Sequence, residues 1–205
     1  MEEYLTVLKT ARVEVEIERS RFIATIKRVE SAKEASAFLE SVKKEFSDAT
    51  HNPFAYVTER GGYSRFSDDG EPSGTSGAPI MDVIKNAALL DTAIVVTRYF
   101  GGIKLGTGGL ARAYGKTAAE VLRAAGTAKR TLCVKCEARL PYDRQSAFPK
   151  IAAGDGKVLS TEYLDEVVFS FVIKKSAFAS YRESFTNAFS ARYEIAQKGE
   201  DYFDL

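Results

Sequence analysis

Alternating and helical spacings of hydrophobic residues predict a strand pair and a helix near the start of the chain. Hydrophobic residues alternate with glutamates in the manner of a half-buried strand at Val13, Val15 and Ile17. A turn over 18–21 and a strand over 22–27 would complete an antiparallel hairpin. Helical spacing follows at Ala35, Phe38, Leu39, Val42 and Phe46, and Ser31 is the predicted N-cap of this helix. A third strand is predicted over 54–58, and Ser76 is placed to cap a second helix.

A buried strand, a glycine-rich loop and a helix are predicted next. Residues 93–97 are continuously apolar, as in a strand that is covered on both faces. The loop runs from Gly101 to Gly109, and Gly126 is placed to end the helix that follows. The apolar stripe of that helix is formed by Leu110, Ala113, Tyr114, Thr117, Ala118, Val121, Leu122 and Ala125.

Beyond residue 130 the predicted order is strand, helix, strand, strand, helix, strand, which is the ferredoxin-like βαββαβ arrangement. The strands are predicted over 132–140, 157–163, 167–173 and 192–197. The helices are predicted over 143–153 and 176–189. The sequence therefore predicts an α+β protein with an N-terminal domain, 1–130, and a ferredoxin-like C-terminal domain, 131–205.

The two cysteines form a C-x-x-C pair, which invites a redox or metal interpretation. They lie in a segment of strict alternation, and residues three apart on a strand point to opposite faces. We therefore expect Cys136 to be a small core residue and Cys133 a solvent-facing thiol. A zinc site would need more cysteine or histidine ligands than this chain, with its single histidine, provides.

Composition and charge indicate an ordinary globular protein with one strongly basic segment. The chain has 205 residues, 45% of them hydrophobic, and a net charge of +1. Residues 95–130 nevertheless hold seven basic residues against one acidic residue. That excess coincides with the glycine loop and favours an anionic partner. No apolar run is long enough for a membrane span and no signal-peptide pattern is present, so we expect a cytoplasmic protein.

The loop and the start of the helix are the candidate anion-binding site. Backbone N–H groups of a glycine loop and of a helix N-terminus bind phosphate readily. Neither the Walker pattern nor a spaced G-x-G-x-x-G is present, and the glycines could instead serve tight turns and close packing. Because basic side chains flank the loop, we favour anion or RNA binding by Arg98, Tyr99, Gly101, Gly102, Lys104, Gly106, Thr107, Gly108, Gly109, Arg112 and Lys116.

Two further groups have several interpretations each. Asp68, Asp69 and Glu71 could hold Mg²⁺, could be a solvated turn, or could pair with the basic segment and order it. His51 is a weak candidate for a general base. No serine or cysteine nucleophile in a recognisable elbow accompanies it, which favours a structural role.

Three segments carry a more specific pattern. They are Thr50-His51-Asn52 with Ala55-Tyr56, residues 66–72 with Gly74-Thr75, and residues 96–102 with 105–110. Through these segments about residues 10–125 resemble the IMPACT family, in its YigZ-like bacterial branch. Beyond Thr131 the resemblance is in length and strand order.

The resemblance implies a fold and a cellular context. The family's N-terminal domain is an α+β sandwich related to domain IV of elongation factor G, to a ribosomal-protein-type fold, to the ribonuclease P protein and to small-molecule kinases with a glycine-rich phosphate loop. The C-terminal domain resembles domain V of the same factor. Eukaryotic relatives regulate translation by competing for the activator of a starvation-response kinase. Family membership alone implies no catalytic activity.

We therefore expect a non-catalytic, translation-linked regulator that binds RNA or the ribosome through the basic loop and helix. No cofactor is expected, although Mg²⁺ is possible. One alternative is a nucleotide- or phosphate-binding enzyme that uses the loop and an acidic Mg²⁺ site. The other is a protein-binding regulator of a stress-response translation pathway.

Overall fold

The computed structural model describes residues 1–148, 154–189, 193 and 195–205. The chain divides into an N-terminal unit, residues 4–128, and a C-terminal unit formed by residues 1–3 and 129–205. Each unit combines helices with an antiparallel sheet, which confirms the predicted two-domain α+β class.

The N-terminal unit contains most of the strands and helices that the sequence predicts. Its elements in chain order are β1 (Glu3–Val7), β2 (Ala11–Ile17), β3 (Ser20–Arg28), α1 (Ala32–Glu45), β4 (Phe54–Thr58), β5 (Tyr63–Ser67), α2 (Gly77–Asn86), β6 (Thr92–Tyr99) and α3 (Gly106–Ala125). Strands β1 and β5 were not predicted. Five strands form one sheet in the order β2-β3-β6-β4-β5, in which all neighbours are antiparallel.

Strand β6 lies at the centre of this sheet and is buried on both faces, as its continuous apolar run predicts. Ile94 and Val96 pack with α2 and α3 in the main core. Ala93 and Val95 pack with α1 in a second cluster on the other face. Side chains on a strand alternate between faces, so every second residue of β6 continues toward α3.

The three helices of this unit begin and end largely at the predicted signals. Ser31 caps α1, and its Oγ accepts a hydrogen bond from Glu34 N at 3.2 Å. Gly126, with φ of +66°, follows the last residue of α3. Ser76 precedes α2, but its hydroxyl donates to Asp68 instead of capping the helix. Among the described residues, no helix is both long and apolar enough to span a membrane.

The C-terminal unit forms a second antiparallel sheet. Its described elements are β7 (Thr127–Leu140), β8 (Gly156–Tyr163), β9 (Val167–Lys174), α4 (Phe178–Ala188) and β10 (Ile195–Asp204). Four of the strands in this sheet follow the order β10-β7-β9-β8, which is that of the βαββαβ arrangement. The helix predicted over 143–153 falls partly outside the described residues, and its described part contains a 3₁₀ turn at Gln145–Ala147. The last strand begins at Ile195, and the first residues of its predicted range also lie outside the description.

The two cysteines correct one expectation. Cys136 is buried in the core of the C-terminal unit, as predicted. Cys133, expected to face solvent, is fully buried as well. Alternation along β7 separates the two thiols onto opposite faces, but it does not tell whether a face is covered. Burial raises the pKa of the Cys133 thiol and raises that of Cys136 to about 11, so both thiols are protonated at neutral pH.

Gly101 is required by a close approach of two backbone segments. Glu18 and Arg19 form the turn between β2 and β3, and both have positive φ, of 45° and 61°. The Gly101 backbone lies against this turn, where a Cβ would be 1.9 Å from the carbonyl oxygen of Arg19. Its N–H donates to Ser20 Oγ at 3.1 Å. This glycine therefore serves close packing, and its N–H is already engaged.

We expect Gly101→Ala to destabilise the N-terminal unit by at least about 2 kcal/mol, because a methyl group would force the hairpin turn away from the loop. The matched control is Gly108→Ala, where the added Cβ would meet only the end of the Arg112 side chain at 3.9 Å. Alanine there is expected to be neutral or to stabilise α3 by up to about 1 kcal/mol. Urea unfolding of the three proteins measures both effects, and equal stability of the two variants would contradict this packing role.

Candidate functional site

The segment between β6 and α3 separates two surface pockets. The first, which we call the loop–helix pocket, has a volume of about 460 Å³, and its lining includes Ile17, Glu18, Ile103, Lys104, Arg112 and Lys116. The second, which we call the Arg98 pocket, has a volume of about 410 Å³, and its lining includes His51, Glu71, Arg98, Phe100, Lys104 and Thr107. Lys104 and Leu105 line both pockets.

Arg98 belongs to a buried ion pair. It continues the β6 face that carries Ile94 and Val96, and only 7% of its side chain is exposed. Its Nη1 donates to Glu71 Oε1 at 2.7 Å. The Tyr114 hydroxyl, from α3, donates to the same oxygen at 2.7 Å. Burial and the neighbouring Glu71 carboxylate raise the Tyr114 pKa, which keeps this hydroxyl a donor.

The Arg98 guanidinium is only partly satisfied by this arrangement. A guanidinium carries five N–H donors. Within the described part of the chain, Arg98 Nε is buried without a hydrogen-bond partner. The group lies between two aromatic rings, 5.5 Å from the centroid of Phe22 and 5.4 Å from that of Phe100. Arg98 thus has a charge that Glu71 balances and, at Nε, a buried donor that no described residue accepts.

Tyr99 lies on the opposite face of β6 and lines neither pocket. Its hydroxyl donates to Asp48 at 2.7 Å, and the Arg21 guanidinium lies 5.2 Å from its ring centroid. Adjacent strand residues point to opposite faces, so Arg98 and Tyr99 cannot act on the same bound group. The structure therefore separates these two predicted site residues.

Asp68 organises the start of α2. Its Oδ1 accepts hydrogen bonds from the backbone N–H groups of Ser76 and Gly77 and from the Ser76 hydroxyl. Its Oδ2 accepts one from Gly74 N at 2.8 Å. Burial alone would raise the Asp68 pKa, but these hydrogen bonds outweigh it and lower the pKa. A carboxylate is also favoured at this position by the positive end of the helix dipole.

Asp69 and His51 form a separate polar cluster. Asp69 accepts from Asn52 N at 2.8 Å and pairs with Lys43 at 2.7 Å, contacts that lower its pKa although burial opposes them. His51 Nδ1 lies 2.8 Å from the Asp69 carbonyl oxygen, which can only accept. Nδ1 therefore carries a proton and donates to this carbonyl. His51 lines the Arg98 pocket.

The acidic trio is divided among three partners: Asp68 binds the start of α2, Asp69 binds Lys43, and Glu71 binds Arg98. No group of three or more candidate metal ligands was found in the described ranges. Of the three interpretations that the sequence allows, pairing with the basic segment holds for Glu71, which neutralises Arg98, but not for Asp68 or Asp69. Only Glu71 of the trio lines the Arg98 pocket.

The remaining basic candidates are exposed around the loop. Lys104, Arg112 and Lys116 line the loop–helix pocket. Lys116 lies 4.0 Å from Glu120, a weak surface pair, and no ion pair of Lys104 or Arg112 is found in the described structure. The N-terminus of α3 is free of side-chain capping, because Leu105 occupies the cap position. The N–H groups of Gly106, Thr107 and Gly108 precede the first intrahelical hydrogen bond and are therefore donors in need of a partner.

Two site features were not predicted from the sequence. Phe100 is 47% exposed at the rim of the Arg98 pocket, and Tyr114 joins the ion pair from the apolar stripe of α3. A tyrosine within an apolar stripe signals a buried hydroxyl that needs a partner, but the sequence does not show which group accepts it.

We expect Glu71→Ala to cost about 3–5 kcal/mol of unfolding free energy, because it leaves the Arg98 charge buried without its partner. The matched control is Glu120→Ala, which removes a half-exposed carboxylate of a weak pair and is expected to change stability by less than about 1 kcal/mol. Chemical denaturation of both variants measures the difference. Similar losses in the two proteins would contradict the structural importance of the buried pair.

We expect Asp68→Asn to destabilise the protein by about 1–2 kcal/mol at pH 7, through weakened capping of α2. The pKa of folded Asp68 lies below its usual 3.8, so its stabilisation is complete above that value and is lost as pH falls through the lowered pKa. The difference between wild type and variant should therefore shrink below about pH 4. Asp82→Asn, on the exposed side of the same helix, is the control, and a pH-independent difference for Asp68→Asn would contradict the assignment.

Comparison with known proteins gives the relationships of the chain. The family model of the Impact N-terminal domain matches residues 18–122. The IMPACT family member YigZ of Escherichia coli is 33% identical over 185 residues, which span 88% of this chain and 91% of that protein. The IMPACT family member YvyE of Bacillus subtilis is 50% identical over 130 residues, which span 63% of this chain and 60% of that protein.

Two solved structures are similar. A crystal structure of a hypothetical protein aligns with a TM-score of 0.64 and 30% identity, over 95% of this chain and 97% of that one. The two-domain translational regulator Yih1 aligns over 60% of this chain and 47% of its own, with a TM-score of 0.35 and 24% identity. The match of the N-terminal domain and the nearly full-length alignment to YigZ establish that the chain belongs to the IMPACT family.

Proposed function

We propose that this chain is a translation-linked regulator that binds RNA or the ribosome without catalysing a reaction. The link to translation comes from the family resemblance, in which eukaryotic relatives regulate translation. The observation that supports nucleic-acid binding is the exposed basic set of Lys104, Arg112 and Lys116 around the loop–helix pocket. Phosphate groups of an RNA backbone are the partner that such a set fits.

The division of charges supports this assignment. Glu71 is buried against Arg98, Glu120 lies 4.0 Å from Lys116, and Glu18 is the one acidic residue in the lining of the loop–helix pocket, against three basic residues. Lys104 and Arg112 keep their charge without a carboxylate partner in the described structure. The positive end of α3 adds to their potential at the same place. Of the eleven predicted binding residues, this surface uses the rest of the loop and the first turns of α3, while Arg98, Tyr99 and Gly101 take other roles.

The protein-binding alternative predicts a different dependence on salt. An RNA contact through basic side chains releases counterions, so its affinity falls steeply as salt rises. Each lysine or arginine removed from phosphate contact should reduce the slope of log affinity against log salt by about one. A contact with a protein surface has no such fixed dependence.

We expect ribosomes to pellet the wild-type protein at low salt and to release it at moderate salt. In Lys104→Glu/Arg112→Glu the pelleted fraction should fall at low salt, and binding of a fluorescent single-stranded RNA should weaken at least about tenfold, with a salt slope lower by about two. The matched control is Lys9→Glu/Lys44→Glu, which reverses two exposed lysines outside both pockets. It changes net charge equally and should retain most of the binding.

Equal loss of binding in the two double variants would contradict a specific surface, because it would show that net charge alone controls association. Pelleting that resists salt and the Lys104/Arg112 reversal would contradict the RNA contact and favour a protein contact. No pelleting at either salt, together with no binding of the single-stranded RNA, would overturn the proposal.

A further inference from the structure

We propose that the Arg98 pocket binds a single nucleoside phosphate, with the phosphate at the N-terminus of α3 and beside Lys104, and with the base against Phe100. This pocket lies on the other side of the loop from the surface assigned to the RNA backbone. The inference does not depend on that assignment. A free mononucleotide and the terminal nucleotide of an RNA strand share the chemistry that the pocket would recognise.

The phosphate end of the pocket is formed by α3 and Lys104. Gly106 and Thr107 line the pocket at the first turn of a 20-residue helix, whose backbone donors lack a side-chain cap. A helix start of this kind attracts an anion through its N–H groups and its dipole. Lys104 lines the same pocket and adds a positive charge.

Arg98 supplies a second and independent indication of a ligand. Its side chain is more than nine-tenths buried, it lines the pocket, and its Nε has no partner among the described residues. A buried donor without a partner costs free energy, so an acceptor bound beside the Arg98 guanidinium, once that group shifts to expose Nε, would stabilise the arrangement. Glu71 already neutralises Arg98, and the charge available for a phosphate is therefore that of Lys104 and the helix.

Phe100 is the feature that points to an aromatic ring rather than to phosphate alone. Its ring is 47% exposed at the pocket rim, with the Arg98 guanidinium 5.4 Å from its centroid. The cation–π contact holds one side of the ring in place and leaves surface for stacking. Exposed aromatic rings beside basic groups are the usual platform for single nucleotides.

The size and lining of the pocket agree with such a ligand. About 410 Å³ lies within the usual range of small-molecule sites. Leu105, Leu110, Pro72 and Phe100 give apolar walls, and polar groups converge at the Lys104 end and at the Arg98 side. A ligand with an apolar planar part and an anionic end matches this division. A nucleotide, with its base and its phosphate, is such a ligand.

The test is direct binding of AMP, GMP, CMP and UMP by isothermal titration calorimetry, against adenosine, ribose 5-phosphate and inorganic phosphate. At least one nucleotide should bind with an affinity at least about tenfold higher than that of adenosine and that of inorganic phosphate. Phe100→Ala should lower the affinity for that nucleotide at least about tenfold, because the stacking contact is lost. The matched control, Phe66→Ala, removes a phenylalanine that is 49% exposed and lines neither pocket, and it should bind as wild type does.

A second set of measurements identifies the source of the nucleotide and separates this inference from the RNA surface. Five-nucleotide RNAs with and without a terminal phosphate test whether the pocket binds the end of an RNA strand. Tighter binding of the phosphorylated RNA would support that source of the nucleotide. Arg112→Glu/Lys116→Glu should weaken binding of longer RNA and leave the mononucleotide affinity unchanged, because neither residue lines the Arg98 pocket.

If neither the mononucleotides nor the RNAs with a terminal phosphate bind at millimolar concentration, the inference is overturned, even if ribosome binding is observed. Equal affinities for nucleotide and inorganic phosphate would overturn the role of Phe100. Equal losses in Phe100→Ala and Phe66→Ala would do the same. Thermal unfolding of each variant checks that the fold is intact, and a nucleotide that binds should raise the melting temperature of the wild-type protein.

Discussion

The N-terminal unit depends on one buried interaction, the ion pair of Arg98 with Glu71. Taking two charges out of water is costly, and such a pair is tolerated only with good geometry and additional hydrogen bonds. Tyr114 provides one of these at 2.7 Å, and two aromatic rings enclose the guanidinium. The pair therefore fixes three segments relative to one another: the end of β6, the acidic loop before α2, and the middle of α3. Because moving any one of these segments would leave a buried charge without its partner, the pair holds each segment in one position.

This constraint explains why the two glycine-rich signatures of the chain form one structure. The acidic loop uses Asp68 to organise α2, Asp69 to hold the segment around Asn52, and Glu71 to neutralise Arg98. An acidic segment beside a basic one could have cancelled its surface charge. Instead the acidic side chains are directed to backbone N–H groups, to Lys43 and to a buried arginine. The exposed charge that remains at the loop–helix pocket comes from Lys104, Arg112 and Lys116, with Glu18 as the carboxylate in the same lining.

The sequence predicts the elements of this unit better than it predicts their contacts. Periodicity was sufficient for β6, for α3 and for the capping of α1 by Ser31, because those signals are local. Alternation along β6 also places Arg98 on the face of Ile94 and Val96. It does not show that an arginine there is buried, because its partner Glu71 is 27 residues away. For the same reason Cys133 was assigned to solvent: a strand pattern fixes the face, while coverage of that face depends on distant segments.

The glycine loop illustrates how one sequence feature can have several physical causes. Gly101 is needed because the backbone of the β2–β3 turn occupies the place of a side chain. Gly106 adopts φ of +68° where the chain enters α3, a conformation that side chains rarely adopt. Between these two points Lys104 is exposed, and it lines both pockets. One lysine therefore lies where a phosphate in either pocket could reach it, and the two proposed sites share that residue.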